Sequence, residues 1–335
     1  MGSILQTATG IGLIPAALIA SVVTLAYTWS GGILAVTLTD AVQYVIIIIG
    51  VTLCGYLAID HLGGFDAMMS ILYANPRFET NLHPLSGKTL VQFLGLFSFL
   101  LGEFCAPYFI QRYASTKSAK DSKSGLLIFS VHWVFFMATT AAIGLASMAL
   151  QPDVKPDLAF TNLIRDVLPA GVTGLVFGAL LAAVMSTGAA MINTSSIIYT
   201  RDIYNKFIKP AATQEELLRQ SRLSTLVVGA VSIGVAILFQ DVFGLMIYMF
   251  KLWPSAILPP LLCGLLWGKV SPYAGAPAVI VGGLTFFLWS DKVLGEPFGI
   301  PANFIGIGMN CLVLFLVHQA MRGRKAEGPF IPDVN

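Results

Sequence analysis

Nine stretches of apolar residues, each long enough to cross a bilayer, follow one another along this chain. They lie at 11–29, 37–60, 89–111, 126–149, 172–199, 223–240, 242–267, 273–290 and 301–321. About 20 residues of helix span the hydrocarbon core. Backbone groups in lipid find no water, so each such run is confined to a helix that bonds within itself. Composition agrees: 56% of residues are hydrophobic and only 11% charged, where soluble domains carry roughly a quarter. The expected fold class is therefore an all-α polytopic membrane protein, read as a single transmembrane domain over 1–335. The only polar loops of any size are 63–88, 112–124, 151–170 and 201–222.

A net charge of +2, with no basic tract interleaved with aromatics, excludes nucleic acid as a partner. Cys54, Cys105, Cys263 and Cys311 stand far apart in apolar runs and read as small buried hydrophobes. His61 and His83 read as loop or helix-end residues, and His132 as a group satisfied by a neighbouring helix. No HExxH, nucleophile elbow, Walker loop or paired DxxD is present, which argues against an enzyme and against an organic cofactor. Met1 is followed by GSILQTATGIG, without the charged n-region or cleavage site of a signal peptide.

Basic residues set the expected orientation. Loops on one side carry Arg112, Lys117, Lys120, Lys123, Arg201, Lys206, Lys209, Arg219, Arg222, Lys269, Arg322, Arg324 and Lys325. Those on the other carry Arg77, Lys88, Lys155, Arg165 and Lys292, a ratio of 13 to 5. The positive-inside bias puts the N-terminus outside and the C-terminal tail, 322–335, in the cytoplasm. The remaining cation, Lys251, lies inside an apolar run, as does Glu103. A charge at that depth costs at least ~2.5–3.5 kcal/mol on insertion scales. Either the two face the bundle interior, pairing or lining a solute path, or they snorkel to the interface. Pro254, Pro259 and Pro260 fall in one run, where a kink or hinge is expected.

The run LAAVMSTGAAMINTSSIIYTRDIYNKF, 181–207, is interrupted by hydroxyls and reaches Arg201–Asp202 abruptly. On a helix, the Ala183 carbonyl and the hydroxyls of Ser186 and Thr187 lie within one turn. Uncharged oxygens of this kind suit a weak, reversible sodium site. They equally suit helix–helix packing, since Ser, Thr and small residues are enriched at membrane helix interfaces.

Five stretches in order resemble the sodium:solute symporter family: YTWSGGILAVTLTDAVQ (27–43), APYFIQRYASTKSAKDSKSG (106–125), LAAVMSTGAAMINTSSIIYTRDIY (181–204), RLSTLVVG (222–229) and PPLLCGLLWGKVSPYAGA (259–276). The resemblance implies a leucine-transporter-like fold of two inverted five-helix repeats. Residues 1–62 would supply core helices 4 and 5, residues 63–270 core helices 6 to 10, and 271–321 two peripheral helices. It implies Na+ as coupling ion, bound in part by Ala183, Ser186 and Thr187, with Arg201–Asp202 at the cytoplasmic exit of that helix. It also implies a bacterial inner-membrane location.

Departures from the family pattern sharpen the expectation. A second sodium site would use Asp40 and two hydroxyls where this chain has Ala189 and Ala190, so Asp40 is kept only as a possible coupling or second-site residue. Sugar-transporting members carry Asn-Gln where this chain has Ala106–Pro107. With Glu103 and Lys251, these positions mark a candidate path for an amino acid or carboxylate. Counterparts of core helices 1 to 3 are missing, so the chain reads as an N-terminally truncated symporter that would not transport alone. The alternative reading is a transport-inactive fragment or a membrane scaffold or sensor. The oligomeric state is left open.

Overall fold

A computed structural model describes residues 1–82, 89–238, 242–267 and 270–322 of the 335-residue chain. His83, Lys88, Lys269 and the tail cations Arg324 and Lys325 lie outside the described residues. In chain order the helices are α1 (Gly2–Thr9), α2 (Leu13–His61), α3 (Phe65–Ala74), α4 (Pro76–Leu82), α5 (Leu90–Phe104), α6 (Pro107–Ala114), α7 (Ala119–Leu150), α8 (Pro156–Val167), α9 (Ala170–Ile198), α10 (Gln214–Leu238), α11 (Val242–Leu266), α12 (Gly275–Trp289) and α13 (Ala302–Ala320). Among the described residues seven segments are long and apolar enough to cross a membrane. The protein is an integral membrane protein.

Among the described residues seven of the nine expected spans fall on segments of that length; 89–111 and 273–290 fall on the shorter helices α5, α6 and α12. The runs 11–29 and 37–60 form one bent helix, α2, whose two apolar halves are Leu13–Gly32 and Val36–His61. Gly32 makes the bend at φ 58°, ψ −161°, a region that only glycine enters without strain. The run 89–111 is not one helix. It breaks between α5 and α6, because Pro107 drives the preceding residue out of the α region, and Ala106 is extended at ψ 125°. The helix does not end at Arg201–Asp202. Beyond Ile198 the chain widens into a π-helix, Tyr199–Ile208, in which Lys206 pairs with Asp202 at 3.3 Å. Finally, α11 runs through Pro254, Pro259 and Pro260 as a continuous helix.

The polar loops are also more structured than their composition suggests. α3 and α8 bury Met68, Leu72, Leu163 and Ile164 completely, in a core shared with Cys54, Ala58, Ile143, Val176 and Phe177. Arg77 and Asp153 form an ion pair of 2.6 Å, so the 63–82 and 151–170 segments lie at one end of their unit. On α7 the cap is Ser118, which accepts from the Asp121 amide at 3.1 Å. Thr213 and Glu216 form a reciprocal capping box before α10, at 3.3 and 3.0 Å. These capped polar turns extend α7 and α10 beyond the apolar ruler.

The chain divides into two compact units. The first comprises Met1–Leu82 and Thr116–Gln240, the second His83–Ser115 and Asp241–Asn335. In the first, α2 packs along α9, closely enough that a methyl on Gly50 would stand 2.5 Å from the Ala179 Cβ. In the second, α12 and α13 pack on α11, and α5 on α11. Exposed apolar residues such as Ile128, Val131 and Val134 on α7 present a surface suited to lipid rather than water.

The α2–α9 contact is testable. Gly50→Ala is expected to cost about 1–3 kcal/mol by overpacking, seen as a lower unfolding midpoint in detergent. Adding Ala179→Gly should restore part of it. Gly174→Ala, where a methyl meets nothing within 4 Å, should be neutral or slightly stabilising.

Candidate functional site

In the first unit the residue spacing on α9 does what it implied. Ser186 and Thr187 stand three and four residues after Ala183, and both hydroxyls donate to its carbonyl, at 2.9 and 3.1 Å. Such back-bonding uses each hydroxyl proton and leaves the oxygen lone pairs available. Three oxygens thus share one helical turn, with Ser186 half-buried and Thr187 exposed. Ala189 and Ala190, one turn on, are buried and carry only methyl groups. Asp40 is half-buried on the second half of α2.

Tyr27 is a neighbour that sequence reasoning missed. From α2 its hydroxyl donates to the Met185 carbonyl at 3.1 Å, fixing the turn that carries Ser186. Thr24, buried on the same face of α2, lies with the Met1 side chain against Gly188. The signal was faint: Tyr27 and Thr24 sit three apart in an apolar run, and nothing marks which helix they face. The His132 ring lies edge-on to Tyr44 of α2 at 5.0 Å.

The second unit holds the other candidates. Ala106 is fully buried at the α5–α6 break and Pro107 opens α6. The break is closed by hydrogen bonds from the Cys105 and Ala106 amides back to Gly102 and Glu103. Irregular backbone at membrane depth is tolerated where it is buried in protein or lines a cavity, and discontinuous helices are where transporters place their substrate sites. Glu103 and Lys251 are both half-buried. They flank the closest approach of α5 and α11, where Gly102 meets the Phe250 carbonyl so tightly that a methyl would overlap it. No ion pair joins Glu103 to Lys251, unlike Arg77–Asp153 or Lys206–Asp202 in the first unit. Tyr108 and Trp253 meet edge-to-face at 6.4 Å beside them.

The family model for the sodium:solute symporter family matches residues 1–283. The chain belongs to that family. Among its relatives, a sodium/proline symporter of Escherichia coli K12 is 28% identical over 319 residues, covering 91% of this chain and 63% of that protein. A sodium/proline symporter of Haemophilus influenzae is 30% identical over 288 residues, covering 81% and 56%. The chain therefore spans less than two thirds of the length of these relatives. Among solved structures, a Na+-coupled sialic acid symporter in a substrate-bound outward-open state superposes with a TM-score of 0.72. It is 20% identical and covers 95% of this chain and 69% of that one. The fold is the leucine-transporter-like, all-α class expected for the family.

Because Glu103 and Lys251 do not pair, a double-mutant cycle with Glu103→Gln and Lys251→Met should give a coupling below ~0.5 kcal/mol in unfolding stability, the limit expected for independent sites. A coupling well above that would mean that the two charges meet in the folded protein.

Proposed function

We propose that this chain carries the sodium-coupled symport machinery of its family and that its solute is a small zwitterionic amino acid of the proline type. The observation that carries this reading is the Ala183–Ser186–Thr187 oxygen cluster on α9, in a chain whose curated relatives are named sodium/proline symporters. A site of neutral oxygens holds sodium weakly enough to release it on every cycle, and carbonyl oxygens of transporter helices are the usual ligands. Ala183, Ser186 and Thr187 supply part of the shell. Asp40 tunes coupling rather than binding a second ion, since Ala189 and Ala190 offer no oxygen side chains.

The solute reading rests on the second unit. Ala106–Pro107 offers no side-chain amide to hold a sugar. The amino end of α6 and the Lys251 ammonium favour a carboxylate, and Glu103 favours an amine. These positions would lie on the solute path. The first helices assigned above correspond on this reading to core helices 4 to 10, followed by two peripheral helices. The 13-to-5 basic asymmetry places the N-terminus outside and the C-terminus in the cytoplasm of a bacterial inner membrane; the tail itself lies outside the described residues.

Sodium binding is read most simply as stabilisation. A ligand at a hundred times its dissociation constant adds ~2.7 kcal/mol. Sodium is expected to raise the unfolding midpoint of the purified chain over potassium or choline at equal ionic strength. Ser186→Ala and Thr187→Ala should each remove most of that difference. Equal stabilisation by potassium, or a sodium shift that survives both substitutions, would overturn the site assignment.

A further inference from the structure

We infer that Asn310 is a positioning residue whose side-chain amide closes the backbone of α11 where Pro259 and Pro260 open it. A proline has no N–H, so in a helix it leaves the carbonyl four residues earlier without its normal donor. For Pro259 that carbonyl belongs to Ser255, and for Pro260 to Ala256. The Asn310 side-chain nitrogen, reaching across from α13, donates to both, at 2.9 and 2.7 Å. The match is one for one: two carbonyls lose donors and one amide nitrogen carries two hydrogens. The opposite orientation of the amide would set its oxygen against two carbonyl oxygens, so the network fixes the assignment.

The surroundings are built for this contact. Asn310 is fully buried. Gly282 on α12 lies where any side chain would overlap the Ser255 carbonyl and stand 2.8 Å from the Asn310 nitrogen. Gly306, one turn before Asn310, leaves room for Ser255, whose Cβ would be 2.7 Å from a methyl there. Ser255 in turn donates from its hydroxyl to the Lys251 carbonyl at 2.9 Å. The amide of α13 thereby holds the turn of α11 that begins at Lys251. This accounts for the helix continuing through Pro259 and Pro260. The importance of that turn for solute rests on the proposed function; the clamp itself does not.

The prolines provide the control. Asn310→Leu keeps the bulk and removes both donors, and should lower the unfolding midpoint of the purified chain by ~5 °C or more. In a Pro259→Ala/Pro260→Ala background the backbone supplies its own N–H groups, so the same Asn310→Leu change should cost less than half as much. A packing role alone would give the same loss in both backgrounds, and that result would overturn the inference, as would no loss in the natural sequence. If Asn310→Leu does not yield folded protein, Asn310→Thr, which retains one donor, is put through the same comparison with the same two outcomes. Stability is the readout throughout, so a failure of sodium binding leaves this test unaffected.

Discussion

The hydrogen-bonding demand of the peptide backbone in hydrocarbon governs the rest of this structure. Water is absent there, so an opened helix needs a partner from the protein itself. Three such openings among the described residues are each treated differently. At Gly32 a glycine-only conformation bends α2. Between α5 and α6 the amides of Cys105 and Ala106 fold back to close the break locally. In α11 the donors come from another helix, through Asn310. The small residues Gly102, Gly282 and Gly306 follow from the same demand, since only a residue without a side chain lets a neighbouring carbonyl or amide come so near.

This division clarifies what was legible in the sequence. Apolar run length located seven membrane-length segments among the described residues because it measures the physical quantity that matters, the thickness of hydrocarbon to be crossed. It misplaced their ends because a capped polar turn outside the lipid, as at Ser118 or Thr213, is invisible to hydropathy. It joined 89–104 to 107–111 because Cys105 and Ala106 are as apolar as their neighbours; only Pro107 carried the signal of a break. At α11 the prolines were visible, but the residue that supplies the donors missing at Pro259 and Pro260 lies about fifty positions later on another helix.

The candidate sites divide along the same line. Ala183, Ser186 and Thr187 were readable because their grouping depends only on helical periodicity, which the sequence carries directly. Tyr27, which braces that turn through the Met185 carbonyl, depends on how α2 lies against α9, a tertiary fact. Glu103 and Lys251 illustrate the converse. Their depth left pairing, a solute path or snorkelling open; the close approach of α5 and α11 is made by the backbone at Gly102 and Phe250, and no ion pair joins the two charges.

The functional account joins an oxygen cluster in one unit to a broken helix and two half-buried charges in the other, and its central claim is that sodium and solute bind interdependently. Thermodynamic linkage makes this claim strict: if sodium strengthens solute binding by some factor, solute must strengthen sodium binding by the same factor. The most direct measurement is a pair of binding titrations on the purified chain. One gives the proline dissociation constant with sodium or choline present; the other gives the sodium dissociation constant with and without proline. The account predicts two equal factors, both well above one. Proline binding that ignores sodium, together with sodium binding that ignores proline, would contradict it.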